Sequence, residues 1–249
     1  MSSKKTLDTL VSDIYETISV LNEGKSLNIS EEDIQKFGTA MMDVLRSWST
    51  PRDRSDQHNL RMSNVGKPMR QLWYDLKSEE EQTPIAPHVF IKFLYGHMLE
   101  EVLLLLAKLS GHSVKGEQKE VNVDGVIGHM DCIIDGEVVD IKTASGFSFK
   151  KFKYGTLRED DPFGYMAQLS GYEENEGTNK GGFLALNKLP ASTTNKSETS
   201  SDKLSITLLS TTSKCSSSVE TSFKCEAAKH ENKPNLGSPD LLSPLLCHK

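Results

Sequence analysis

The chain has 249 residues, a net charge of −6 at pH 7 and an apolar fraction of 36%, which allows one large domain with an appendage and implies that part of it lacks a core. The acidic balance neither announces nor excludes a nucleic-acid binder, because only a cleft need be basic and metal-holding carboxylates count as negative. No apolar run reaches the ~20 residues of a membrane span and the N-terminus lacks a signal-peptide core, so a cytoplasmic protein is expected, in the host cytoplasm if the source is viral.

Over residues 5–22, Leu7, Leu10, Val11, Ile14, Ile18 and Leu21 recur at helical spacing. Ser30-Glu31-Glu32-Asp33 opens a second helix with capping chemistry. That helix carries Phe37, Met41, Val44, Leu45 and Trp48 and stops before Pro51. Residues 1–50 are therefore expected to form an N-terminal helical extension: a helical pair packed on the main domain, or an assembly module. Arg52, Arg54, His58 and Arg61 lie in a polar stretch that suits either a solvated linker or a DNA-contacting loop. Residues 63–77 read as a turn and then a helix, with Pro68 in its first turn.

Residues 88–110 give the strongest helical pattern. Phe90, Phe93, Leu94, Leu99, Val102, Leu103, Leu105, Leu106 and Leu109 make it apolar on most sides, which predicts burial. It also contains His97, Glu100 and Glu101, and the i,i+4 spacing puts His97 and Glu101 on one face. Taken alone, a histidine in such a helix is ordinarily a satisfied core residue.

Strands follow near 112–123, 126–134 and 137–143. Asp135-Gly136 between alternating apolar residues is a hairpin signal. Alternation along the strand puts Asp140 and Lys142 on the same face, and Asp131 on the partner strand can face the same way. Two carboxylates and one ammonium suit phosphodiester hydrolysis: the carboxylates hold Mg²⁺ or Mn²⁺ and the lysine orients or deprotonates water. Cys132 faces opposite to Asp131, as a buried free thiol. No cysteine pair has zinc-ligand spacing. His129 shares the face of Asp131 and either packs beside the hairpin or reaches a phosphate.

Residues 144–163 read as a loop in which Lys150, Lys151, Lys153 and Arg158 interleave with Phe147, Phe149, Phe152 and Tyr154. It is either a DNA-facing loop, with basic groups on phosphates and aromatics on unpaired bases, or a solvated loop with its aromatics tucked under. A helix over about 162–175 carries Gln168 and Tyr172 one turn apart, and residues 181–187 read as a strand. Between Ser192 and Ser222, 18 of 31 residues are Ser or Thr, too few apolar groups to offset ordering entropy. Residues 190–249, with Cys215, Cys225 and Cys247, are expected to be a largely disordered or aberrant tail in which only residues 204–209 could add a strand. The main domain is placed at 51–189.

Four motifs in this order carry a family resemblance: Gly96-His97-Met98-Leu99-Glu100-Glu101, Gly128-His129-Met130-Asp131, Asp140-Ile141-Lys142 and Gln168-Leu169-Ser170-Gly171-Tyr172. Over residues 63–188 the chain resembles the PD-(D/E)XK nuclease superfamily, and within it the RecB/AddB-type branch that includes phage and CRISPR-associated exonucleases. The resemblance implies an α/β, restriction-endonuclease-like core, a small mixed β-sheet flanked by helices. It implies Asp131, Asp140 and the Ile141 carbonyl as ligands of Mg²⁺ or Mn²⁺, with His97 as a further ligand and Glu101 acting through water or orienting His97; Glu100 is the alternative on that helix. Lys142 would position or activate water, and Gln168 and Tyr172 would hold the DNA backbone or Lys142. Many relatives carry a four-cysteine iron–sulfur site, but residues 63–70 contain no cysteine and the tail cysteines are not clustered, so no iron–sulfur cluster is predicted. The function implied is a metal-dependent DNA exonuclease in recombination, repair or phage DNA replication, acting on duplex ends or single strands, with a recombination or replication protein as partner. A structure-specific endonuclease, or an inactive nuclease-derived DNA-binding protein, is the alternative.

Overall fold

The computed structural model describes residues 5–51, 59–77, 84–188 and 205–212. Its strands are β1 (Val114–Lys115), β2 (Lys119–Val123), β3 (Val126–Met130), β4 (Cys132–Ile134), β5 (Glu137–Ala144), β6 (Lys180–Asn187) and β7 (Ile206–Thr212). Its α-helices are α1 (Leu10–Ser19), α2 (Glu31–Ser49), α3 (Met69–Lys77), α4 (Pro87–Leu109), α5 (Gly146–Tyr154) and α6 (Tyr165–Glu176). Among the described residues, no helix is long and apolar enough to cross a membrane.

Asp135 and Gly136 both take positive φ, 52° and 91°, as the tight turn between β4 and β5 requires. Asp124 and Gly125 repeat the device between β2 and β3, with φ of 50° and 84°. Five strands form a mixed sheet in the order β1-β4-β5-β6-β7, and β2 and β3 form a separate two-stranded ribbon. Of the strand pairs among the described residues, only β5–β6 is parallel, and it needs the long crossover that α5 and α6 supply.

The ribbon runs into the sheet through an irregularity. Lys115 opposes Ile133, and Lys119 opposes Met130, so Gly116, Glu117 and Gln118 stand against Asp131 and Cys132 alone. One extra residue on one strand is a β-bulge, and such bulges re-aim side chains. Gln118 adopts φ 52° there.

Helices cover both faces of the sheet. Leu7, Leu10 and Ile14 join Leu103, Leu104 and Ala107 of α4 over Cys132, Ile134, Val139, Ile141, Leu184 and Leu186. On the other face Phe149 and Phe152 of α5 are buried, with Phe152 5.6 Å from Phe183 in ring centroids.

The expected loop at 144–163 is in fact helical from Gly146 to Tyr154. Ser145 caps it by accepting from the Ser148 N–H, and Gly155 ends it with φ 71°. Phe149 and Phe152 are core residues, not loop aromatics. The strand anticipated at 204–209 is β7, which pairs with β6 over its length, so ordered sheet lies within the stretch expected to be disordered. The expected burial of the 88–110 helix holds only for its second half. Phe90, Ile91, Phe93 and Tyr95 are exposed, while Leu103, Leu104 and Ala107 are fully covered. Helix α1 belongs to the core cluster, whereas α2 packs on α4 and buries no residue fully. Arg52, Arg54, His58, Cys215, Cys225 and Cys247 lie outside the described residues.

Candidate active site

Strand β5 leaves its partner β4 after Val139, because β4 begins only at Cys132. The Ile141 N–H is thereby freed from the ladder on that side, and Asp131 at the bulge takes it: Oδ2 accepts this N–H at 2.6 Å. One hydrogen bond thus fixes the first acidic residue against the strand that carries the second. The Ile141 carbonyl points to the same side as its N–H, as both groups of one extended residue do.

Asp140 and Lys142 share a face, as alternation requires. Asp140 is 1% exposed, and among the described residues neither of its carboxylate oxygens accepts a hydrogen bond. The Lys142 Nζ stands 2.7 Å from Asp140 Oδ2, a charge contact rather than an aligned hydrogen bond. The Tyr165 ring lies on the other side of this ammonium, 4.8 Å from Nζ to centroid. Glu100 of α4 is the third carboxylate nearby; it is buried and accepts from the Gln118 side chain.

The electrostatics follow from three carboxylates facing one ammonium. Burial, then Asp140 and Glu100, push the Asp131 carboxyl well above the usual range, against Lys142 and the Ile141 N–H. Burial raises Asp140 as well; Lys142 opposes this and Glu100 adds to it. Burial works against the Lys142 ammonium, but Asp140 and Asp131 overcome it and hold its pKa above the ordinary lysine value. Buried like charges of this kind are what a bound cation relieves.

The donor chemistry fits a hard divalent ion in type: two carboxylates, one with both oxygens free of hydrogen bonds, and a backbone carbonyl turned the same way. It is not a closed cage. Among the described residues, no group of three or more His, Cys, Asp or Glu side chains is gathered closely enough to hold a metal by itself. Mg²⁺ suits such an open set because it keeps several of its waters.

The structure corrects the assignment on α4. Glu100, Leu103, Leu104 and Ala107 form the stripe that meets the sheet, and His97 lies at its edge, with Nδ1 3.8 Å from Glu100 Oε2. Glu101 is one residue, about 100°, further round the helix. It lines a hollow against α2 with Asp33, Lys36, Lys108 and Glu117, where burial and then Glu100 and Glu117 raise its pKa. Glu100, the alternative, is the acidic residue beside Asp131 and Asp140.

Gln168 and Tyr172 stand one turn apart as expected, but they turn inward instead of facing a cleft. The Tyr172 hydroxyl donates to the His129 carbonyl at 2.8 Å and accepts from Gln168 Nε2 at 3.0 Å. Burial pushes this hydroxyl up to about 12, with the Gln168 bond opposing, so it remains a donor at any working pH. The pair clasps α6 to β3 two residues before Asp131. The His129 side chain itself faces solvent near Glu120.

Lys150, Lys153 and Arg158 are exposed on α5 and the turn after it. Lys151 is not free, since its Nζ donates to the Asp160 carbonyl at 3.0 Å and pairs with the Asp160 carboxylate. Tyr165 was not singled out from the sequence, although its place three residues before Gln168, within the same helix, was a usable signal.

No family model matches the chain, and no curated protein matches it. Two solved structures similar to it are the crystal structure of LHK-Exo in complex with dAMP (14% identity, TM-score 0.45, covering 71% of this chain and 90% of that one) and the crystal structure of SSO0001 (15% identity, TM-score 0.34, covering 82% of this chain and 89% of that one). At these TM-scores neither likeness assigns a chemistry to the chain.

Proposed function

We propose that this chain is a metal-dependent deoxyribonuclease of the PD-(D/E)XK type, hydrolysing phosphodiester bonds from DNA ends. The observation that carries the reading is Asp140: a buried carboxylate with both oxygens free of hydrogen bonds, set among Asp131, Glu100 and Lys142. One ammonium, Lys142, faces this carboxylate and two others, so the buried cluster stays net negative, which costs stability unless a cation offsets it.

Asp131, Asp140 and the Ile141 carbonyl would hold Mg²⁺ or Mn²⁺, with Glu100 as the further carboxylate beside them and His97 next to Glu100. When bound, such an ion would supply Lewis-acid charge to the scissile phosphate. Lys142, kept as an ammonium by its carboxylate neighbours, donates to the attacking water and the phosphate oxygens and fixes their line of approach. Asp131 holds the Ile141 N–H, which keeps the two acidic residues in register. Tyr172 and Gln168 act as positioning residues for the segment that ends in Asp131. Exposed Lys150, Lys153 and Arg158 give the DNA backbone a basic track beside the site. The order of the four sequence motifs supports the RecB/AddB-type assignment, and with it a role in recombination, repair or phage replication.

The test is digestion of end-labelled linear duplex, single-stranded and closed circular DNA with Mg²⁺ or Mn²⁺, alongside Asp140→Asn and Lys142→Met. The expected result is metal-dependent loss of linear DNA only, abolished in both variants. Cutting of closed circles would replace the exonuclease with an endonuclease. Well-folded protein that binds DNA and cuts none would make this a binding protein.

A further inference from the structure

We propose that the cleft beside Lys142 is a stacking subsite for one unpaired base of the strand being cut, and that Phe163 is the residue that selects unpaired over paired DNA. This rests on the hydrolytic reading above for the place of the scissile phosphate.

The cleft has a volume of about 180 Å³, and its lining includes Lys142, Thr143, Ser148, Lys151, Phe163 and Tyr165. It is smaller than the ~300–1,000 Å³ of pockets that enclose whole drug-sized ligands, and suits a single ring system. Outward from the reacting lysine, the Tyr165 centroid is 4.8 Å from Nζ. Phe163 stacks on Tyr165 with centroids 5.4 Å apart and planes at 26°. Phe163 is 57% exposed, so its outer face continues the stack into solvent. Across Lys151 stands Phe147, 76% exposed, with the Lys151 Nζ 5.6 Å from its ring centroid. Two large apolar rings are thus left in water near a cleft that opens onto Lys142: Phe163 in its lining and Phe147 beside Lys151.

The charges say what the cleft holds. Lys151 is neutralised by Asp160, and Lys142 by Asp140. Beyond the scissile phosphate that Lys142 would meet, a second anion would find no uncompensated cation here, so the cleft's own occupant is not a phosphate. Aromatic faces with the Ser148 hydroxyl on the wall match a nucleobase, whose plane stacks and whose edge forms hydrogen bonds. Inside a duplex both faces of each base are covered by neighbours. Only a single strand or a frayed end can offer a free face to Phe163.

The test uses the full chain carrying Asp140→Asn, which keeps the strand intact, and single-stranded and duplex oligonucleotides bearing 2-aminopurine, whose fluorescence falls on stacking. The single strand should be quenched on binding and the internal duplex position should not. Adding Phe163→Ala should abolish the quench and weaken single-strand binding about tenfold, the effect of one lost base–aromatic stack; Phe163→Trp should restore both. Separately, Phe163→Ala alone should raise KM for single strands in cleavage. Quenching that Phe163→Ala leaves unchanged, or no quench with either oligonucleotide, overturns the subsite. If the quench depends on Phe163 but the native chain cuts no DNA with any metal, the hydrolytic reading falls and the stacking site stands. If DNA is cut and Phe163→Ala alters neither quench nor strand preference, the stacking site falls alone.

Discussion

Tyr172→Phe removes one oxygen from the interior, and the structure says what that should cost. The hydroxyl is buried, donates to the His129 carbonyl at 2.8 Å and accepts from Gln168 Nε2 at 3.0 Å. Losing the bond to the partly buried carbonyl should cost about 0.5–1.5 kcal/mol, and stranding the buried Gln168 amide about 1–3 kcal/mol more. The sum is about 1.5–4.5 kcal/mol. At about 2–4 °C per kcal/mol for a folded unit of this size, Tm should fall by roughly 3–18 °C. Gln168→Leu with Tyr172→Phe deletes both partners together, so no donor is stranded and the double variant should be less destabilised than the sum by about 1–3 kcal/mol. Urea unfolding of the four proteins, compared at equal m-values, measures this directly. If Tyr172→Phe stays within about 0.5 kcal/mol of the native chain, the two substitutions add, and KM for DNA rises instead, the clasp is wrong and the tyrosine faces substrate.

Three further outcomes are expected. Burial and like charges raise Asp131 and Asp140 above their unfolded values, so the folded chain binds protons more tightly; metal-free stability should be greatest in weak acid and fall as pH rises through the raised values. The raised Lys142 pKa adds stability that is lost only above the lysine range and does not alter this window. Thermal melts in chelator and in Mg²⁺ should show the ion stabilising more at pH 8 than at pH 5, and Asp140→Asn should abolish that difference. Gly164 has φ 73°, and a Cβ there would stand 2.4 Å from the Gly66 Cα; Gly164→Ala should cost about 2–5 kcal/mol from left-handed strain and backbone overpacking, read by urea unfolding. His112 has a fully buried side chain with Nδ1 2.6 Å from Asp135 and Nε2 3.0 Å from Asp13; His112→Ala removes these bonds while Asp13 keeps Lys5 and Thr9 and Asp135 keeps the Ser113 N–H, and should cost about 1.5–3 kcal/mol, whereas an unchanged melt would show the bridge to be idle.

What is legible in the sequence is whatever depends on neighbours along the chain. Asp135-Gly136 and period-two alternation give the hairpin and the shared face of Asp140 and Lys142. The choice between Glu100 and Glu101 is not legible, because a helix apolar on most sides does not declare which stripe meets the sheet. Helix α5 escapes notice because its Phe and Lys residues show no clear helical period, although Ser145 and Gly155 carry the start and stop signals. The inward turn of Tyr172 depends on the His129 carbonyl, 43 residues away in sequence. Asp131 is legible as an acid on a strand. Its bond to Ile141 is not, since that depends on a bulge whose extra residue shows only once the register is known.

Strand β7 carries a consequence for the order of assembly. Seven consecutive residues of β6, Gly181 through Asn187, are buried, and β6 supports β5, the strand of Asp140 and Lys142, on one side while β7 covers the other. Residues 206–212 come late in the chain. On a ribosome, β6 therefore waits with an open row of backbone donors and acceptors until β7 emerges, and such an apolar edge recruits other chains. A fragment ending soon after Asn187 would keep every residue assigned to the chemistry and still be prone to aggregate through that edge.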